Sequence, residues 1–107
     1  MSLSTHVLDA AKGLPAAGVA VRLDRREDDG AWTTLAEART DADGRIKDWG
    51  AQPGQPGKGV HRLTFATAGL SDFYPEVTVV FTIDDPGRHH HVPLLISPFA
   101  YSTYRGS

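Results

Sequence analysis

Turn signals recur so often along this chain that the segments between them suit short strands rather than long helices. Ala10–Gly18 holds two glycines and a proline, and Asp29-Gly30 and Asp43-Gly44 are tight-turn pairs. Gln52–Gly59 is rich in proline and glycine, Pro75 breaks the segment at Phe73-Tyr74, and Asp84-Asp85-Pro86-Gly87 and Ser97-Pro98 punctuate the end. The segments between them alternate. Val19, Val21 and Leu23 share one face of a strand, with Arg22 and Asp24 directed outward. Val77, Val79, Phe81 and Ile83 give the strongest strand signal, and Leu63 and Phe65 share a face within Val60–Phe65.

Leu3–Asp9 reads as a short first strand with a histidine inside it. Ala31–Arg39 reads as the partner returning from the Asp29-Gly30 turn, anchored by Trp32 and Leu35, although its alanines and glutamate keep helix a rival there. A strand starting at the three histidines His89–His91 and a terminal aromatic strand complete about eight candidates. No helical period runs through them, and the pattern predicts an all-β sandwich or barrel.

The length of 107 residues is that of a single domain, 1–107, with a modest core. Eleven basic against thirteen acidic residues leave a net charge of −2, so no basic field is available for nucleic acid and no polybasic patch for a membrane. Without cysteine, disulfides and thiolate metal sites are excluded. The apolar runs are too short for a membrane-spanning helix, and no secretory signal is visible at Met1–His6. A cytoplasmic protein is expected.

Candidate chemistry gathers at the C-terminal end. Two of the three tyrosines lie in the last seven residues, so this terminus is expected to be packed and used. On a strand, His89 and His91 project from one face and His90 from the other. Two same-face imidazoles could bind zinc, but no carboxylate stands at ligand spacing, and a polar strand start is the plainer reading. His61 reads as a strand-surface residue, His6 as an edge histidine, Arg45 as a surface cation. The Asp41-x-Asp43-Gly44 spacing resembles part of a calcium loop that lacks its remaining ligands. Taken singly, none of these establishes an enzyme.

Together they match a known pattern. Leu3-Ser4-Thr5-His6-Val7-Leu8-Asp9, Thr40-Asp41-Ala42-Asp43-Gly44-Arg45, Phe73-Tyr74-Pro75-Glu76-Val77, His91-Val92-Pro93-Leu94-Leu95 and the closing Tyr101-Ser102-Thr103-Tyr104-Arg105-Gly106-Ser107 resemble the 5-hydroxyisourate hydrolases. These are the transthyretin-related enzymes of purine catabolism. The resemblance implies a transthyretin-like (prealbumin-like) sandwich of two four-stranded sheets, assembled as a homotetramer with its sites in the channel between dimers. It places the family's catalytic residues on His6, Arg45, His91 and the terminal Ser107, with Tyr104 lining the site, and it calls for no metal or organic cofactor. The substrate would be 5-hydroxyisourate and the product 2-oxo-4-hydroxy-4-carboxy-5-ureidoimidazoline.

The residue types suit that chemistry. Water must attack a ring carbonyl, a neutral histidine can take its proton, and an arginine suits the oxygen that gains charge. Either His6 or His91 could be that base. The competing reading is a thyroid-hormone carrier, which needs an apolar channel where this chain offers histidines, Arg45 and Tyr104. One departure stands out. Relatives usually carry a short helix before the Val77–Ile83 strand, whereas here Phe65–Gly69 runs almost directly into Leu70–Phe73. Either this member has lost the helix or a segment is missing from the chain.

Overall fold

The structure is a computed structural model that describes residues 3–49 and 56–106. Nine strands come in order: β1 Leu3–Asp9, β2 Leu14–Pro15, β3 Ala20–Arg26, β4 Trp32–Arg39, β5 Arg45–Ile46, β6 Gly59–Ala66, β7 Glu76–Ile83, β8 His90–Ser97 and β9 Ala100–Thr103. No α-helix occurs among the described residues. The first sheet has the order β2-β1-β8-β9, and β5 shares the β2 edge of β1, so this sheet is four strands across with one edge position divided. The second sheet has the order β4-β3-β6-β7.

The two sheets bury their inner faces against each other. Leu3, Val7, Leu94 and Ile96 from the first meet Val21, Leu23, Leu63 and Phe65 from the second, all essentially inaccessible to solvent. Period-two alternation places these side chains, because successive residues of a strand point to opposite faces. Trp49 closes one end of the core, its indole N–H donating to the Leu3 carbonyl at 3.0 Å.

The pairing of β1 with β8 brings the two ends of the chain together. These strands run parallel and in register, with Leu3 opposite His90, Ser4 opposite His91 and His6 opposite Pro93. Both ends are therefore neighbours in the middle of a sheet. His6 is consequently not an edge residue, since β1 is flanked on both sides.

The strand expected at 31–39 forms at 32–39, where pairing with β3 overrides weak propensity. Other local expectations are corrected. The Ala10–Gly18 turn contains the two-residue β2, which folds back on Leu8 and Asp9. Asp24 faces outward as alternation predicts, yet it is only 1 % exposed. A register shift between Leu23 and Asp24 and the side chains of Arg22, Arg62 and Thr34 cover it. His61 is fully buried instead of lying on the surface, with both ring nitrogens facing backbone carbonyls, of Gly59 and Pro56, and Phe81 stacked at 5.9 Å. Between β6 and β7 the helix is absent. A single turn takes its place, in which the Leu70 and Ser71 amides donate to the Thr67 carbonyl. Of the proline- and glycine-rich loop expected at 52–59, residues 52–55 lie outside the described residues.

Candidate active site

The site is built on the outward face of the first sheet, where β5, β1 and β8 lie side by side. Arg45 stands opposite His6 across the β1–β5 pair, and Ser4 stands opposite His91 across β1–β8. Residues paired in register share a face, so the fold turns His6, Arg45 and His91 the same way. The structure brings these three predicted residues together within one chain.

Arg45 is positioned by the turn before it. The Asp41 carboxylate accepts the amides of Asp43 and Arg45 at 2.9 and 3.0 Å, and these contacts, that of Arg45 foremost, hold its pKa below the usual value. Its oxygen is thus used to shape the turn, which explains the resemblance to a calcium loop without calcium. Gly44 has φ of +74°, and a Cβ there would lie 2.5 Å from the Val7 carbonyl, so only glycine lets the turn press against β1. The Gly44 carbonyl in return accepts the Val7 amide at 2.7 Å. The Asp-Gly-Arg run is therefore a device for docking an arginine beside β1.

His6 donates from Nε2 to the Asp43 carbonyl at 2.9 Å, which leaves the lone pair of the neutral ring on Nδ1. His91 is held differently. Its Nδ1 lies 2.8 Å from the Ser4 hydroxyl, and His89 Nε2 lies 2.8 Å from the same oxygen. On the opposite side Gly106 donates its amide to the His91 carbonyl at 2.8 Å. A Cβ on Gly106 would stand 2.4 Å from His91 Cδ2, so the imidazole lies directly on this glycine. His91 Nε2 has no hydrogen-bond partner among the described residues. Burial, followed by the charges of Arg45, His6 and His89, holds the His91 pKa below its ordinary 6.5. The ring is neutral near pH 7.

Ser4, Thr5, Arg45, Lys47, His89 and His91 line an open cleft of about 430 Å³. Tyr104 is placed otherwise than in that cleft. With His90, Val79 and Phe81 it lines a neighbouring cavity of about 230 Å³ that meets the site at His91. Ser107 lies outside the described residues. His90 points inward as alternation predicts, and it is buried, not solvated. Its Nδ1 donates to the Arg88 carbonyl at 3.0 Å. The candidate zinc pair His89 and His91 is joined through Ser4, and no third metal-ligating side chain completes a cluster among the described residues.

Ser4, Lys47 and His89 are cleft residues to which the sequence pattern gives no part in the hydrolase. The signal for two of them is plain afterwards: Ser4 lies two residues before His6, and Lys47 two after Arg45, so each shares its neighbour's face.

A family model described as HIUase/Transthyretin matches residues 3–106. The chain belongs to this family. Among its relatives, 5-hydroxyisourate hydrolase of Caulobacter vibrioides is 48 % identical over 116 residues, covering 98 % of this chain and 97 % of the relative. Among solved structures, 5-hydroxyisourate hydrolase of Klebsiella pneumoniae superposes with a TM-score of 0.80 at 40 % identity, covering 100 % of both chains. Sea bream transthyretin, solved in complex with thyroxine, superposes with a TM-score of 0.87 at 36 % identity, covering 99 % of this chain and 95 % of that one. The family thus spans an enzyme and a hormone complex on one sandwich, and the backbone alone does not separate them.

Proposed function

We propose that this protein hydrolyses 5-hydroxyisourate, opening its ring in urate breakdown, and that His91 is the general base. The observation that supports the mechanism is a neutral, half-buried imidazole, one ring nitrogen of which has no hydrogen-bond partner among the described residues, in a cleft that also holds a guanidinium. In this reading His91 Nε2 takes a proton from water as the water oxygen attacks a ring carbonyl. Arg45 stabilises the oxyanion that forms, and the C–N bond of the tetrahedral intermediate then breaks. The imidazolium returns its proton to the departing nitrogen, so one water is added and the enzyme is unchanged. His6, held by its Nε2 bond to the Asp43 carbonyl, orients the substrate; Tyr104 borders the site from the neighbouring cavity, and Ser107 belongs to the proposed substrate-binding set. No cofactor takes part.

The hydrolase reading is tested by generating 5-hydroxyisourate in situ with urate oxidase and following its ultraviolet decay. The protein is expected to accelerate the decay. His91→Ala and Arg45→Ala are each expected to lower the rate by about a hundredfold or more, the scale of acid–base and oxyanion effects. Full activity in either variant removes that residue from the mechanism.

A homotetramer is part of the proposal. β9 is an edge strand exposed along its whole length, and Phe99 beside it is 76 % exposed, features that suit a subunit contact. The second reading, a thyroxine carrier, is favoured only by the backbone likeness to transthyretin. Arg45, Lys47 and two histidines make the cleft too polar for it. Tight thyroxine binding in a titration would overturn that preference. No helix is long and apolar enough to cross a membrane among the described residues. A cytoplasmic location belongs to the proposal and is checked by cell fractionation.

A further inference from the structure

The hydroxyl of Ser4 is the meeting point of two imidazoles, 2.8 Å from His91 Nδ1 and 2.8 Å from His89 Nε2. A hydroxyl carries one proton and can donate to only one of them. At least one ring must therefore present an N–H to it. If His91 donates, its lone pair sits on Nε2; if His91 accepts, Nε2 carries the proton. One hydrogen atom's position thus decides whether His91 offers a base or a donor to the cleft.

We infer that Ser4 and His89 form a positioning relay, His91 Nδ1–H to Ser4 Oγ–H to His89 Nε2, which fixes the His91 tautomer with its lone pair on Nε2. Three observations favour this direction. Arg45 lines the same cleft, and a fixed cation favours a lone pair over an N–H on the ring edge left open. His89 is exposed, so water can serve its other nitrogen in either tautomer, and it adapts to whatever Ser4 requires. His91 is pinned between Ser4 and Gly106 and cannot turn over to exchange its nitrogens. The arrangement has the logic of a catalytic triad's third member, in which the bond made by one ring nitrogen sets the state of the other. Here a neutral hydroxyl backed by a second histidine takes the place of a carboxylate. No proton is transferred along the relay: Nδ1 keeps its hydrogen, and its bond to Ser4 strengthens as His91 becomes cationic during turnover.

The inference rests on the hydrolase reading for its function, but the tautomer can be observed without activity. With the full chain labelled with ¹⁵N in histidine, long-range ¹H–¹⁵N spectra above pH 7 report which His91 nitrogen is protonated. The wild type is expected to show Nδ1–H, and Ser4→Ala to shift His91 toward the Nε2–H form that free histidine prefers. The kcat of Ser4→Ala is expected to fall about tenfold or more with KM little changed, a part of the acid–base contribution lost after substrate is bound. Ser4→Thr retains both properties, whereas Ser4→Val, of the same shape without the hydroxyl, loses them, which isolates the hydrogen bond should Ser4→Ala be poorly folded. His89→Ala is expected to give an intermediate loss. A wild-type His91 protonated at Nε2, or an unchanged tautomer and kcat in both Ser4→Ala and Ser4→Val, overturns the relay. A wild type inactive on 5-hydroxyisourate that still shows the Ser4-dependent tautomer overturns the hydrolase reading and leaves the positioning intact.

Discussion

Gly106 shows how one missing methyl group can set a site. The His91 ring occupies the space that any Cβ at residue 106 would need. Gly106→Ala is therefore expected to displace the ring and lower kcat/KM about tenfold or more, since small misplacements of a catalytic group are costly. Its melting temperature should stay within a few degrees of wild type, because Gly106 lies outside the strands and the core. The pH profile belongs to this scale too. With His91 as the proposed base only its neutral form is active, and its pKa is depressed, so activity should persist as pH falls through 6.5 and decline only at more acidic values. Arg45→Gln removes one of the charges opposing the imidazolium and should move the acidic limb of the pH–rate profile upward. A limb centred at or above 6.5 in the wild type would overturn His91 as the proposed base.

Among the elements, β1 carries most of the consequence. Its inner face supplies Leu3 and Val7 to the core, while its outer face supplies Ser4 to the cleft and sets His6 opposite Arg45. Alternation makes the two jobs inseparable: slipping β1 by one residue against β8 would exchange core and site. In the second sheet, Asp24 does comparable structural work away from any chemistry. Burial opposes its charge, but hydrogen bonds from Arg62 and Thr34, with Arg22 nearby, hold its carboxyl below the usual range. Arg62 also lies over Trp32, 4.3 Å from the ring centroid. Losing one partner of a sealed buried pair costs roughly 3–5 kcal/mol. Since Arg62 and Arg22 remain partly exposed, Asp24→Ala is expected to cost about 2 kcal/mol, read as a lower urea midpoint. Because the folded-state pKa is lowered, this contribution is present above the unfolded value of 3.8 and fades as pH falls below it.

At the scale of the whole molecule, the cleft is open on one side, and an exposed aromatic group stands beside the β8–β9 turn. Phe73, Tyr74, Phe99 and Tyr101 form edge-on and tilted ring contacts with one another, and Phe73 and Phe99 are largely exposed. The proposed tetramer predicts a sedimenting species of four chain masses. Tyr101→Glu together with Phe99→Glu should shift it toward smaller species while leaving the fold unaltered by circular dichroism. The chain by itself determined a great deal of this. Turn residues marked the ends of the long strands and period-two alternation marked β3 and β7 outright, because those signals are local, while β1 and β4 carried weaker patterns of their own. Likeness to a family also nominated His6, Arg45 and His91, which the fold brings together, but not Ser4, Lys47 or His89. What remained for the tertiary structure was adjacency: that the first and eighth strands lie parallel at the centre of a sheet, that His61 is buried and Asp24 covered, and that Ser4 joins two histidines. Pairing between distant segments leaves no local mark, because the energy that fixes a register comes from burying one face of the whole sheet. Ser4 is 87 residues from the ring it holds, and only the register of β1 on β8 brings them into contact.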